Sequence, residues 1–232
     1  MPDAFRGFHP DAVDFLVELA QNNDRAWFQP RKADYERLLR EPMEALVAAL
    51  AERFEARGIP LRADPKRSIF RIYRDTRFSK DKSPYKTHVA ANFPWVDPDG
   101  GEDRDGGHAG GGYVNIEPGN HYVGGGLYLA GKERLTAFRQ AIVDDPERVR
   151  TALEDPGLLT AFGPVSTHDP YKRVPTGWPA DHPMADLFRY RDIVFGRRLA
   201  DAEVESPDLP DILADAYEAG LPVLRFLATL RG

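Results

Sequence analysis

Residues 68–93 read SIFRIYRDTRFSKDKSPYKTHVAANF, and the fold turns on how they are taken. SIFRIYRD is short, β-branched and aromatic, which predicts a strand. After a polar stretch, Tyr85, Thr87, Val89, Ala91 and Phe93 alternate at the strand period, so a hairpin is expected. Within it, residues 71–88 set six Lys or Arg against two Asp, a local charge of +4 in a chain whose net charge is −6. Such a hairpin either receives an anion or is neutralised by acids from elsewhere in the fold.

The pattern on either side is helical. Upstream, Ala12, Phe15, Leu16 and Leu19 recur at helical spacing over 10–22, with Pro10 suited to a first turn. Residues 24–41 continue as helix, with Pro30 marking an irregularity. Pro42 then opens a third helix, whose stripe of Met43, Leu46, Val47, Leu50 and Phe54 ends at Gly58. Downstream, DPDGGEDRDGGHAGGG (97–112) offers nothing to bury and reads as a flexible hairpin loop. Tyr113–Ile116 and His121–Leu129 form two more strands around the turn Pro118-Gly119-Asn120. Helices resume at Glu133–Val143 and 146–153. An irregular Pro/Gly-rich stretch fills 163–183, and helices are expected at 183–190 and 208–230, with Pro222 bending or dividing the last. Helices, then an antiparallel meander of about four strands, then helices predict a single α+β domain over residues 1–232.

Composition narrows the classes. A chain of 232 residues, 42% hydrophobic and 29% charged, is that of an ordinary globular protein, and its size lets a core form unaided. Having no cysteine, it has no disulfide scaffold, thiol nucleophile or thiolate metal site. The N-terminus lacks a basic region followed by an apolar run, and no stretch approaches the roughly 20 apolar residues that cross a bilayer. A soluble cytoplasmic protein with no membrane association is the expectation. The pI near 5.6 argues against a general nucleic-acid coat.

NNDRAWF (22–28), RIYRDTRFSKDKSPYKT (71–87), GGY (111–113), GGGLY (124–128) and the later Pro175, Gly177, His182 and Pro183 occur in this order. Together they resemble the uncharacterised bacterial and fungal family called domain of unknown function 2461, over about Phe8 to Leu227. The resemblance implies a shared fold and a shared site, and no activity. The chain departs from the usual family pattern mainly in the Gly-rich insertion at 97–112.

The central motif has a chemistry of its own. On an extended segment Arg71, Tyr73, Asp75 and Arg77 share one face, and Phe70, Ile72 and Arg74 the other. A guanidinium offers a planar fork of donors for a carboxylate or phosphate, which suits Arg71, Arg74 and Arg77 to anions. Lys80, Lys82 and Lys86 add compact charges on flexible stems. Ser79, Asp81 and Ser83 favour local turns whose backbone N–H groups face a ligand. Asp75 and Asp81 would orient the arginines, bind a divalent cation or act as catalytic bases. On the structural alternative they pair with the arginines and fix the hairpin. The spacing is not that of a Walker loop.

Four further features are candidates. Arg25 lies near a helix N-terminus and could extend the anion site, while Asn22 and Asn23 read as helix end and cap. Gly124, Gly125 and Gly126 in a strand indicate a bulge or a close approach, so that with Tyr73 and Tyr85 they could line a pocket, or simply admit a packed helix. His88 could serve as acid or base beside Asp75, and could approach His121. No histidine set has zinc spacing, so no metal site is assigned. Asp201–Glu218 carries seven acidic residues and no basic one, which reads as a solvated face.

Three functions fit these residues. The leading one is a protein that binds, and could act on, a phosphorylated or other anionic small molecule through the basic hairpin. The second is a nucleic-acid module in which Tyr73, Phe78 and Tyr85 stack on bases. The third is a structural or regulatory domain whose hairpin docks on an acidic surface, such as 201–218 of a second copy. Reaction type, substrate, cofactor and oligomeric state do not follow from the sequence.

Overall fold

The computed structural model describes residues 4–77, 79–97 and 110–230. The glycine-rich loop expected at 97–112 falls largely outside that range, as does Phe78.

Three helical segments lead into the sheet. Helix α1 spans Pro10–Gln21 and buries Ala12, Phe15, Leu16 and Leu19, the stripe its spacing predicts. The next segment is broken where its prolines fall. Helix α2 (Arg25–Phe28) passes through a 3₁₀ turn at Gln29–Arg31, which contains Pro30, to α3 (Lys32–Tyr35). A π turn at Glu36–Arg40 then leads into α4 (Glu41–Arg57). Pro42 lacks an N–H and its ring would strike the carbonyl of Leu38, so the widened turn lies where a regular helix could not continue. Gly58 ends α4 in the left-handed conformation.

The sheet has four antiparallel strands in the order β1 (Val89–Pro94), β2 (Gly111–Ile116), β3 (Tyr122–Leu127) and β4 (Ile193–Arg198). N-terminal helices, a central antiparallel sheet and C-terminal helices are therefore the architecture, as the pattern predicts. Membership differs at both ends. Residues 68–75 pair with the chain without forming a regular strand, and β4 had no expectation attached to it. Its run Ile193-Val194-Phe195 is wholly buried, the β-forming signal that its neighbours Gly196, Arg197 and Arg198 obscured. Helices α5 (Lys132–Asp144), α6 (Pro146–Leu153) and α7 (Pro156–Phe162) follow β3. The short α8 (Asp201–Val204) and the long α9 (Leu209–Ala228) follow β4, with Pro222 carried inside α9.

Contacts group into two compact units. The first gathers the chain up to Phe93 with Tyr113–Val123 and Arg198–Asp215. The second gathers 94–112, 124–197 and the chain from Ala216 onward. In the first, Arg53 of α4 grips Asp211 through Nε (3.0 Å) and Nη2 (2.8 Å), and Arg57 pairs with both Asp211 and Asp215. The acidic run at 201–218 is thus partly an ion network, a correction to its reading as a solvated face. In the second, Gly126 adopts φ +121°, and a Cβ there would stand 2.2 Å from the Ile193 carbonyl oxygen. Only glycine lets β3 lie so close to β4 at that point.

Candidate functional site

The basic segment folds back on itself as an irregular antiparallel hairpin of the first unit. Near its base Phe70 N–H donates to the Ala90 carbonyl and Asn92 N–H to Ser68, both at 3.0 Å, around the bridge Ile69–Ala91. Further out, Lys86 N–H donates to Ile72 (2.8 Å) and Arg74 N–H to Pro84 (2.9 Å), around the bridge Tyr73–Tyr85. Between these two pairings one arm advances by Arg71 alone, whereas the other runs through Thr87, His88 and Val89. The register slips by two residues, and a regular strand over 68–75 is lost to that bulge.

Tyr73 and Tyr85 face each other between the flanking hydrogen bonds, so the N–H and carbonyl of Tyr85 point away from the hairpin. Asn23 takes both. Its Oδ1 accepts the Tyr85 N–H at 3.0 Å and its Nδ2 donates to the Tyr85 carbonyl at 3.0 Å. A side-chain amide thus replaces a neighbouring strand. This corrects the reading of Asn23 as a cap: Asn22 closes α1 onto Glu18, and Asp24 caps α2 by accepting the Trp27 N–H. Arg25 opens α2 and is exposed.

The loop beyond is ordered by its two carboxylates. Asp75 receives the Arg77 guanidinium through Nη2 (2.6 Å) and Nε (3.0 Å) and the Arg77 N–H at 3.1 Å. These hydrogen bonds hold its carboxyl down to about 2. Asp81 pairs with Arg74 and accepts both the N–H and hydroxyl of Ser83, which hold it well below the usual carboxylate range. Two carboxylates so occupied are poor proton acceptors at neutral pH and suit orienting the arginines better than catalysing as bases.

The remaining cations lack such partners. Lys82 Nζ donates to the Thr76 carbonyl at 2.8 Å. Lys86 places its ammonium 4.9 Å from the Phe70 ring centre; burial, and then the charge of Arg71, lower its pKa. Arg71 and Lys80 are exposed. Among the described residues, none of Arg71, Lys80, Lys82 and Lys86 has a carboxylate within ion-pair distance. Among the described residues each aspartate of the segment forms an ion pair with one arginine, and the other four cations form none.

Aromatic rings pack within and against the hairpin. Buried Tyr85 stacks on Phe28 at 4.1 Å, and Tyr73, 48% exposed, leans on Tyr85 at 5.5 Å. The Tyr85 hydroxyl is buried without a hydrogen-bond partner among the described residues. Half-buried His88 feels Glu117 and Lys86 as its charged neighbours, and burial lowers its pKa. Gly124, Gly125 and Gly126 belong to the second unit. A Cβ on Gly125 would meet the Gly111 carbonyl oxygen at 2.6 Å and the Phe195 ring at 2.9 Å, so close packing there excludes a side chain.

Two polar groupings carried no sequence signal. Buried Asn115 donates to Glu117 and the Asn120 carbonyl, and the Glu117 N–H donates to Nδ1 of buried His121 at 3.2 Å. In the second unit, buried Asp192 accepts the His168 N–H at 3.0 Å and lies 3.4 Å from its Nδ1. A separation of 24 residues between those partners has no periodic signature. His182 is a local brace, accepting the Met184 N–H at 3.0 Å. Among the described residues no three His, Asp or Glu side chains gather as a metal site, and no described helix is long and apolar enough to cross a membrane.

A family model described as conserved hypothetical protein, DUF2461, matches residues 11–226, nearly the whole chain. No curated protein and no solved structure matches it.

Proposed function

This chain belongs to the DUF2461 family of conserved hypothetical proteins, and we propose that it binds a phosphorylated or other anionic small molecule on the hairpin of residues 71–88. One observation carries the reading. Arg71, Lys80, Lys82 and Lys86 have no carboxylate within ion-pair distance among the described residues, although Asp75 feels the charge of Arg71. Burial, and after it the charge of Arg71, lowers the pKa of Lys86, and a bound anion would offset both.

The parts divide the work. Arg71, Lys80, Lys82 and Lys86 contact the anion. Arg74 and Arg77, fixed by Asp81 and Asp75, shape the loop that presents it, and Arg25, two residues after the Asn23 that holds Tyr85, contributes charge. In this reading any chemistry comes from positioning and charge, since both aspartates are occupied.

Thermal unfolding with sulfate, phosphate and pyrophosphate tests it. An anion at about 100 times its dissociation constant stabilises the native state by about 2.7 kcal/mol. The wild type should respond to at least one of them, and Arg71→Ala and Lys86→Ala should not. No response from the wild type to any of the three would overturn the proposal.

A further inference from the structure

We propose that the occupant of the basic hairpin is a nucleotide, its base stacked on Tyr73 and its phosphates on Arg71, Lys80 and Lys82. The inference rests on the anion reading above and adds the part of the ligand that charge alone does not specify.

Its basis is the aromatic column that ends at Tyr73. Phe28 packs on Tyr35 at 5.6 Å, Tyr85 stacks on Phe28 at 4.1 Å, and Tyr73 leans on Tyr85 at 5.5 Å. Three of the four rings are buried, and the fourth, Tyr73, is half open. Its backbone is also fixed, because the Tyr73–Tyr85 bridge is held on its far side by the Asn23 amide. A ring so supported loses little conformational freedom when a second flat ring lies on it. Aromatic platforms beside cations are the common means of holding bases without reading their edges.

A further feature points the same way. Phe70 is 40% exposed and already receives the Lys86 ammonium on its ring. Along this arm, residues 70–74 set two rings, Phe70 and Tyr73, and two arginines, Arg71 and Arg74, around Ile72. An inorganic anion would use the cations and leave the rings idle. A polynucleotide would call for a longer basic track than one hairpin in a chain of net charge −6.

Calorimetric titration of the full chain with ADP, pyrophosphate and a ten-residue oligothymidylate separates the outcomes. ADP should bind at least about fivefold more tightly than pyrophosphate, the lower end of what stacking one base contributes. Tyr73→Ala should erase that difference while still binding pyrophosphate, and Tyr73→Phe should keep it. Circular dichroism of Tyr73→Ala and Tyr73→Leu checks that the loss does not come from unfolding. Equal affinity for ADP and pyrophosphate would overturn the nucleotide and leave the anion site standing. If neither binds, both proposals fall. An oligothymidylate that binds far more tightly than ADP would overturn the mononucleotide in favour of a single strand.

Discussion

Arg139 lies buried in the second unit, its Nε on the Phe188 carbonyl at 2.8 Å and its Nη2 on the Tyr190 carbonyl at 2.9 Å. The arginines of the hairpin are more open, Arg77 forked to Asp75, Arg74 paired with Asp81, and Arg71 paired to no carboxylate among the described residues. Burial alone depresses the pKa of Arg139, whereas a neighbouring cation helps to depress that of Lys86. A buried guanidinium bonded to two backbone carbonyls secures a loop and is withdrawn from any ligand at the surface. The hairpin is held by backbone pairing and by Asn23, and among the described residues four of its cations have no carboxylate within ion-pair distance. Positive charge on this protein therefore has two meanings, and the groups around each cation distinguish them.

The largest effect should come from the buried member of the comparison. Arg139→Met removes the donors of two carbonyls enclosed by the protein, at about 1–3 kcal/mol for each orphaned group. A loss of about 3 kcal/mol in urea denaturation is expected. A loss below about 1 kcal/mol would mean that water reaches those carbonyls and that the contrast with the hairpin is weaker than drawn.

Asn23→Ala should follow, at about 2 kcal/mol, because it strips both hydrogen bonds from the outward edge of Tyr85. Hydrogen exchange should show the Tyr85 amide losing protection while α4 keeps its own. If the hairpin stays equally protected, the cations and aspartates hold it themselves, and the distinction between holding and binding groups fails.

A smaller effect should appear with pH. His121 keeps its Nδ1 as an acceptor for the Glu117 N–H, so the ring is neutral in the fold. Burial lowers its pKa from the ordinary 6.5 against the pull of Asp201, and burial lowers that of His88 likewise. Below pH 6.5 the unfolded chain thus binds protons that the folded chain refuses. The histidine contribution should be level above that pH and fall as pH drops beneath it, and the depressed carboxyls of Asp75, Asp81 and Asp211 carry the loss on to more acid pH. A urea series from about pH 8 to about pH 5 measures this, and His121→Gln should flatten the slope. An unchanged slope in that variant would place the acid sensitivity elsewhere.

Much of this was legible in the sequence where periodicity or turn chemistry acts. The stripe of α1, the stop at Gly58 and the alternation from Val89 to Phe93 are local patterns, and local patterns survive folding. The excess charge at 71–88 was legible too, since two carboxylates cannot neutralise six cations whatever the geometry. Asn23 was not, because a capping asparagine and one that mimics a strand look alike until Tyr85 is brought across 62 intervening positions. Nor was the two-residue slip, which depends on where two pairings lock and leaves no trace in composition. Likewise the segment 201–218 looked solvated because its partners, Arg53 and Arg57, lie far upstream.

The most direct test of the central claim is the stability of Arg71→Gln with and without pyrophosphate, by urea denaturation at low salt. Without the anion, the variant should match the wild type within about 0.5 kcal/mol or slightly exceed it, as surface changes that relieve repulsion do. With pyrophosphate, only the wild type should gain. An Arg71→Gln variant that is more than about 1 kcal/mol less stable without ligand, alongside a wild type indifferent to pyrophosphate, would make Arg71 a structural residue and contradict the account.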